Sequence, residues 1–516
     1  MVTILILGLL AFSSNINFVH GDTNVPSIIS SDTTWTQAGS PYVLSGPVRV
    51  NSGVTLTIEP GATVNIGTHY LQVEGTLRST GTSTNPVLIK SAQSSDASSP
   101  IGYVNFTDSC TSWNEQTGSG CIIENTIINQ TIIYTGNSAV KINSDTINFQ
   151  GSMTVDNVVL SLSGQTQVTN NSINGAVLTT GGSSTIYNNK ISGGMGLYGG
   201  SPAVSNNSIS GSSTYFFIGR DENREYNTIA VNAYCSPTLT NNQISGTIGV
   251  GDYRGYTGTA TIMGNTILGG IDGGGNVIIR GNIISGGGVS TSGAAALVQN
   301  NLIITSSGSS QPGVTASDSA TVDGNTISGF KIGILVNGPA SIKNNNIQNW
   351  TQYGLKLTTA NNLDASNNWW GTTDAQAIAQ GIYDQKNDFN LGTVNFTPFL
   401  TTPNPNAPAI DYAPVTSATP TPSPEPATTP TPMPPTPTQS NGPTQQPQHT
   451  PTPLPNNQPA NLANLVVPIM AVIIVVLVAV VVVLAVLLKR INVNRQLNCQ
   501  NPPASAEASL WCIMGR

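Results

Sequence analysis

The sequence predicts an all-β fold, a right-handed parallel β-helix, followed by a Pro/Thr-rich stalk and one membrane span. Three observations predict it. A short phrase recurs ten times at intervals of about 20 residues. Only 8% of the 516 residues are charged while 53 are glycine. The composition also changes abruptly after residue 401.

The phrase reads aliphatic, any residue, Asn or Gly, Asn, any residue, Ile. Its second Asn falls at Asn171, Asn189, Asn207, Asn242, Asn265, Asn282, Asn301, Asn325, Asn345 and Asn368. Two residues later stand Ile173, Ile191, Ile209, Ile244, Ile267, Ile284, Ile303, Ile327, Ile347 and Trp370. Three residues before it stand Val168, Ile186, Val204, Leu239, Ile262, Ile279, Val298, Val322, Ile342 and Ala365. The gaps are 18, 18, 35, 23, 17, 19, 24, 20 and 23 residues. The long gap reads as two coils, the middle one divergent around Asn227.

Asn tolerates the left-handed backbone region and Gly enters it freely, so each pair bends the chain sharply. Stacked amides can then hydrogen-bond from coil to coil. Aliphatics five positions apart would face opposite sides of a straight strand, but across a turn both can point inward. Stacking buries a core that no single coil could bury. Residues 34–370 are expected to form about 13 to 15 coils, a rod of roughly 65 Å at one strand spacing each.

The ends differ in character. Val2–Phe12 is an apolar run, and Val19-His20-Gly21 resembles a cleavage site, so residues 1–21 read as a signal peptide, against a buried first strand. The β-helix then occupies 22–401, with a C-terminal cap from about residue 369. Residues 402–463 form an extended linker: 20 of the 33 prolines fall between Pro398 and Pro459, mixed with Thr, Ser, Gln and Asn. That stretch could reach roughly 190 Å. Leu465–Leu488 has no charge over 24 residues, enough to span a bilayer once. Lys489, Arg490 and Arg495 follow, placing the tail 489–516 in the cytoplasm and the N-terminal domain outside the cell.

Glu507 and the bases Lys489, Arg490, Arg495 and Arg516 belong to the tail, leaving 23 acids and 13 bases outside. A net charge of −10 there makes nucleic acid an unsuitable partner. Of five cysteines, Cys110 and Cys121 bracket a polar loop and are candidates for a disulfide, Cys235 reads as core, and Cys499 and Cys512 lie in the tail. Sequons stand at Asn105, Asn129, Asn170, Asn206, Asn349 and Asn395. Asn170 and Asn206 sit inside the phrase, which leaves Asn105, Asn129, Asn349 and Asn395 as glycosylation candidates.

Val54-Thr55-Leu56-Thr57-Ile58-Glu59-Pro60-Gly61-Ala62-Thr63-Val64, followed by Val73-Glu74-Gly75-Thr76-Leu77, resembles the opening coils of pectin-lyase-like right-handed β-helix proteins of prokaryotic cell surfaces. Asn367-Asn368-Trp369-Trp370-Gly371-Thr372 and Leu391–Phe399 resemble their ends. The resemblance covers about residues 34–401 and implies the fold far more specifically than an activity. At the closing end, Asp374–Ile382 has helical spacing, and Trp369, Trp370, Tyr383 and Phe389 are expected to cover the last coil.

Active relatives of that fold use clustered Asp with His, or Ca²⁺ held by carboxylates with an Arg or Lys base. Here the exported part has only His69 and His449, and no Asp-Asp pair exists. One cluster departs from the sparsely charged repeat: Arg220, Asp221, Glu222, Arg224, Glu225 and Tyr226. Asp252, Tyr253 and Arg254 follow, expected about one coil later. If stacked, they could bind a ligand: carboxylates of Asp221, Glu222 and Asp252 for Ca²⁺, guanidinia for uronates, tyrosines for sugar rings. The competing reading is a solvated loop of cancelling charges. Gly269–Gly275 reads as turn material. The favoured function is a membrane-anchored binding or structural, adhesin-like module touching extracellular polysaccharide or envelope components. A polysaccharide lyase or other carbohydrate-active enzyme is the alternative. A metal-handling periplasmic β-helix is a further one, against which scarce His and Met count.

Overall fold

A computed structural model describes residues 21–92, 102–149, 158–211, 227–232, 234–251, 258–306 and 309–410. The chain winds as a parallel β-solenoid. One strand per coil forms a 15-stranded parallel sheet, from Thr23–Asn24 to Asn346–Gln348, so the coil number lies within the expected range. The other two strands of each coil join in a 28-stranded sheet, because Ile271–Arg280 and Val289–Gln299 run unbroken through the corner between them.

The repeated phrase is the corner between the last strand of one coil and the first of the next. In one copy, Gln167–Thr169 ends at Asn170, which turns at φ 60°, and Ser172–Asn174 begins the next coil. The same left-handed position holds Asn188, Asn206, Asn241, Gly264, Gly281, Asn300, Gly324, Asn344 and Asn367, with φ between 54° and 65°. In these ten coils only Asn and Gly fill it, because a Cβ-bearing residue without a short polar side chain is penalised there.

The Ile two residues after the ladder Asn stack in register from Ile173 to Ile347. All are 0–2% exposed, as expected from the spacing. Val168, Ile186, Val204, Leu239 and their successors form a second inward file from the other side of the corner. A third runs from Val177 through Met195, Ile229, Ile248, Ile271, Val289 and Val314 to Ile334. Three files meeting on one axis make a continuous dry core, which is the main source of stability in such a rod.

Three expectations are corrected. The 35-residue gap is one coil, not two: Ile209 pairs with Ile244 and Val204 with Leu239, so the extra length is an insertion. Gly269–Gly275 is not all turn. A bend at Gly269 leads into the ten-residue strand Ile271–Arg280, with a register shift around Gly275 at φ 67°. A Cβ on Gly274 would stand 2.7 Å from the Val250 carbonyl, so the glycines serve close coil contact.

The third concerns the cap. The helix covers Ala375–Gln380, with Asp374 accepting hydrogen bonds from Gln376 and Ala377, and Ile382–Tyr383 is already a strand paired with Leu355–Lys356. Trp370 and Ile378 are buried, and Trp350, Phe396 and Phe399 pack against the core, whereas Phe389 is 84% exposed and covers nothing. Thr401–Ile410 then runs back along the flank. Asn404 bonds Asn346 and Asn344, and Thr326 Oγ1 donates to the Pro408 carbonyl one coil earlier.

Candidate functional site

Every ladder amide is committed to the fold. Each Asn from Asn171 to Asn345 donates its backbone N–H and its Nδ2 to the Oδ1 of the next Asn, at 2.8–3.0 Å. The same Nδ2 reaches a carbonyl of the preceding coil, as Asn189 does to Val168 and Asn242 to Val204. These side chains are at most 3% exposed, so the most repeated polar group in the sequence is structural.

Arg220, Asp221, Glu222, Arg224, Glu225, Tyr226, Asp252, Tyr253 and Arg254 lie outside the described residues, but their anchors are described. Ile209-Ser210-Gly211 precedes the first segment and Thr228-Ile229 follows it. The next coil reads Ile244-Ser245-Gly246-Thr247-Ile248 without interruption. Removing residues 212–227 would therefore leave the same five-residue connection, Ile-Ser-Gly-Thr-Ile, in both coils. Ile229–Val231 stacks on Ile248–Val250. The first segment enters at the Ile229 end and the second leaves at the Val250 end, a strand length of roughly 10 Å apart.

Sequence reasoning missed a second polar constellation, in the loop between Cys110 and Cys121. Trp113 Nε1 donates to Glu115 Oε2 at 2.6 Å, and Lys141 Nζ donates to Glu115 Oε1 at 3.0 Å while standing 4.9 Å from the Trp113 ring centroid. The Trp113 hydrogen bond first, and then Lys141, lower the Glu115 pKa. Arg78 ties the loop down through the Gly118 and Gly120 carbonyls. Lys141 lies on the strand paired with Ile122–Glu124, a contact no linear spacing reveals. Tyr70 and Tyr103 stack on neighbouring coils with centroids 5.0 Å apart, and Tyr134 meets Tyr103 edge-on at 5.5 Å.

Cys110 and Cys121 are brought together as buried free thiols. A hydrogen bond from Cys121 lowers the Cys110 pKa, whereas that contact and burial raise Cys121. Cys235 is buried as expected, its thiol pushed up to about 12 by burial. Among the sequons, Asn170 is occupied structurally: its Nδ2 donates to Asn143 Oδ1 and its Oδ1 accepts from Asn188. Asn105 and Asn129 are half-buried, and Asn349 and Asn395 are exposed.

Among the described residues, no group of three or more His, Cys, Asp or Glu could hold a metal ion. No helix among them is long and apolar enough to cross a membrane; Leu465–Leu488 lies outside them, as do residues 1–20, Cys499 and Cys512. The class that fold and site define is a parallel β-solenoid with extra length on at least two coils, from Ile89 to Ile128 and from Ile209 to Ile244. No family model, curated protein or solved structure matches the chain.

Proposed function

We propose that this chain is a surface-anchored rod of the right-handed, pectin-lyase-like kind, which holds a glycan-contacting loop away from the cell on its Pro/Thr stalk. The observation that carries the reading is the insertion at 212–227. Its residues 212–226 are not needed to close the ladder or the inward files of that coil, and it concentrates Arg220, Asp221, Glu222, Arg224 and Tyr226 within seven residues of a chain that is only 8% charged. A solenoid tolerates such an addition because each coil needs only its neighbours. Surplus length with clustered carboxylates, guanidinia and a ring suits an acidic or neutral polysaccharide, with Ca²⁺ as a bridging ion. Binding fits better than cleavage, since every repeated polar group is already used within the fold. In this reading Leu465–Leu488 crosses the membrane once and the N-terminal domain faces outward.

The test uses the full-length chain on cells, presented with a panel of immobilised polysaccharides with and without Ca²⁺. Changing Asp221, Glu222 and Asp252 together to Ala should abolish capture without altering the melting temperature. Retained capture would return the cluster to a solvated loop and leave the rod a spacer.

A further inference from the structure

The ladder does not begin at Asn171. Ile142-Asn143-Ser144-Asp145-Thr146-Ile147 repeats the corner one coil earlier, with Ser144 at φ 58° and Asp145 in the place of the ladder Asn. Ile123–Ile128 does so again, with Asn125 at φ 48° and Thr126 in that place. Asp145 donates its backbone N–H to Asn171 Oδ1 at 2.8 Å, and its Oδ1 accepts from the Thr126 N–H at 2.7 Å. It is 2% exposed, and its Oδ2 has no hydrogen-bond partner.

Register identifies what surrounds that oxygen. In the next coil Asn171 Nδ2 donates to the Ile142 carbonyl and to Asn189 Oδ1, both at 3.0 Å. The equivalent neighbours of Asp145 Oδ2 are the Ile123 carbonyl and Asn171 Oδ1, and both are acceptors. A carboxylate oxygen placed between two acceptors in a dry corner is repelled, whereas a carboxylic O–H donates to one of them. We propose that Asp145 is built into the ladder as a neutral acid, its Oδ2–H standing in for an amide N–H. The joint between the Thr-cornered and Asn-cornered coils is thereby closed in acid and weakened when the proton leaves.

The charged surroundings agree. Glu124 faces Asp145 from the preceding coil and is held by Asn143 Nδ2 at 2.8 Å. Lys141, on the same coil as Asp145, is engaged with Glu115, and the facing stretch 167–174 has no ionisable residue. Burial, with Glu124 adding to it, raises the Asp145 pKa well above the usual carboxylate range despite the Thr126 and Asn143 N–H groups. The folded value exceeds the unfolded one. The contribution is therefore complete below about pH 4 and lost as pH rises through the folded value.

The decisive variant is Asp145→Asn, which supplies the missing N–H permanently. Thermal melts of the full-length chain between pH 4 and pH 9 should show this variant melting a few degrees higher than wild type at the alkaline end. The gap should close toward the acid end. Hydrogen exchange at the Thr126 amide should slow in the variant at alkaline pH and match wild type in acid. A variant no more stable than wild type at high pH, or a gap independent of pH, would overturn the proposal.

Discussion

Asn207 and Asn242, 35 residues apart in sequence, are consecutive rungs: Asn242 Oδ1 receives the Asn207 backbone N–H at 2.9 Å and its Nδ2 at 3.0 Å. The ladder thus closes past residues 212–226, while Asn227 at their end is buried and its Oδ1 accepts from Thr247 Oγ1 at 2.9 Å.

Deleting 212–226, with Asn227 kept, is expected to leave the melting temperature unchanged or slightly raised, since shortening a loop reduces closure entropy by about 0.6 kcal/mol per halving. Calorimetry of the deletion variant checks this. A marked fall would mean that the segment packs into the rod.

Core polarity should be punished. Ile244 and Ile267 are stacked neighbours with 0–1% exposure. Replacing either by Asp is expected to cost several kcal/mol, because an unpaired charge enters the core. Denaturant titration gives the loss directly.

The two corner residues should respond in opposite ways. Asn242→Ala removes the acceptor of the Asn207 N–H and leaves it buried and unpaired, at a cost of about 1–3 kcal/mol. Asn206→Gly should be nearly neutral, since Gly264, Gly281 and Gly324 already occupy that place in other coils. Asn206→Val should be harmful, as a β-branched residue is strained at φ 56°. Comparative melting of the three variants distinguishes the roles.

Much of this was legible in the sequence because a repeat repeats its physics. A left-handed corner admits so few residue types that Asn and Gly mark it in every coil from Asn170 to Asn344, and Ile two positions after the ladder Asn must face inward. The same rule concealed Thr126 and Asp145, whose corner positions are recognisable only from the hydrogen-bond register. Counting periods also misled: 35 residues fit two average coils, whereas pairing of Ile209 with Ile244 shows one. The Trp113, Glu115 and Lys141 group was hidden because it joins two coils, and Phe389 was misassigned because aromatic character alone does not fix direction.

Cys110 and Cys121 should form one disulfide when the chain matures in an oxidising compartment, each thiol losing one hydrogen to the oxidant. Thiol labelling under denaturing conditions before and after reduction should differ by two sites, at Cys110 and Cys121, while Cys235 labels equally in both. Equal labelling would show that the pair remains reduced.

The cap should loosen in acid. Burial favours the neutral form of Asp384, but hydrogen bonds from Lys386 and the Val394 N–H outweigh it and lower its pKa. A folded value below the unfolded one contributes stability above about pH 4 and loses it as pH falls through the folded value. Proteolysis near Lys386 should accelerate in acid for wild type, and Asp384→Asn should already be susceptible at neutral pH.

Each ladder amide serves only the coil before and the coil after, so nothing in the rod measures its total height. Reach is set by integer steps of about 4.8 Å, the spacing of paired strands. A gene encoding such a rod can lengthen or shorten its product by copying or dropping one phrase, and the seam matches either way. Evolution can therefore change the number of coils without redesigning any one of them.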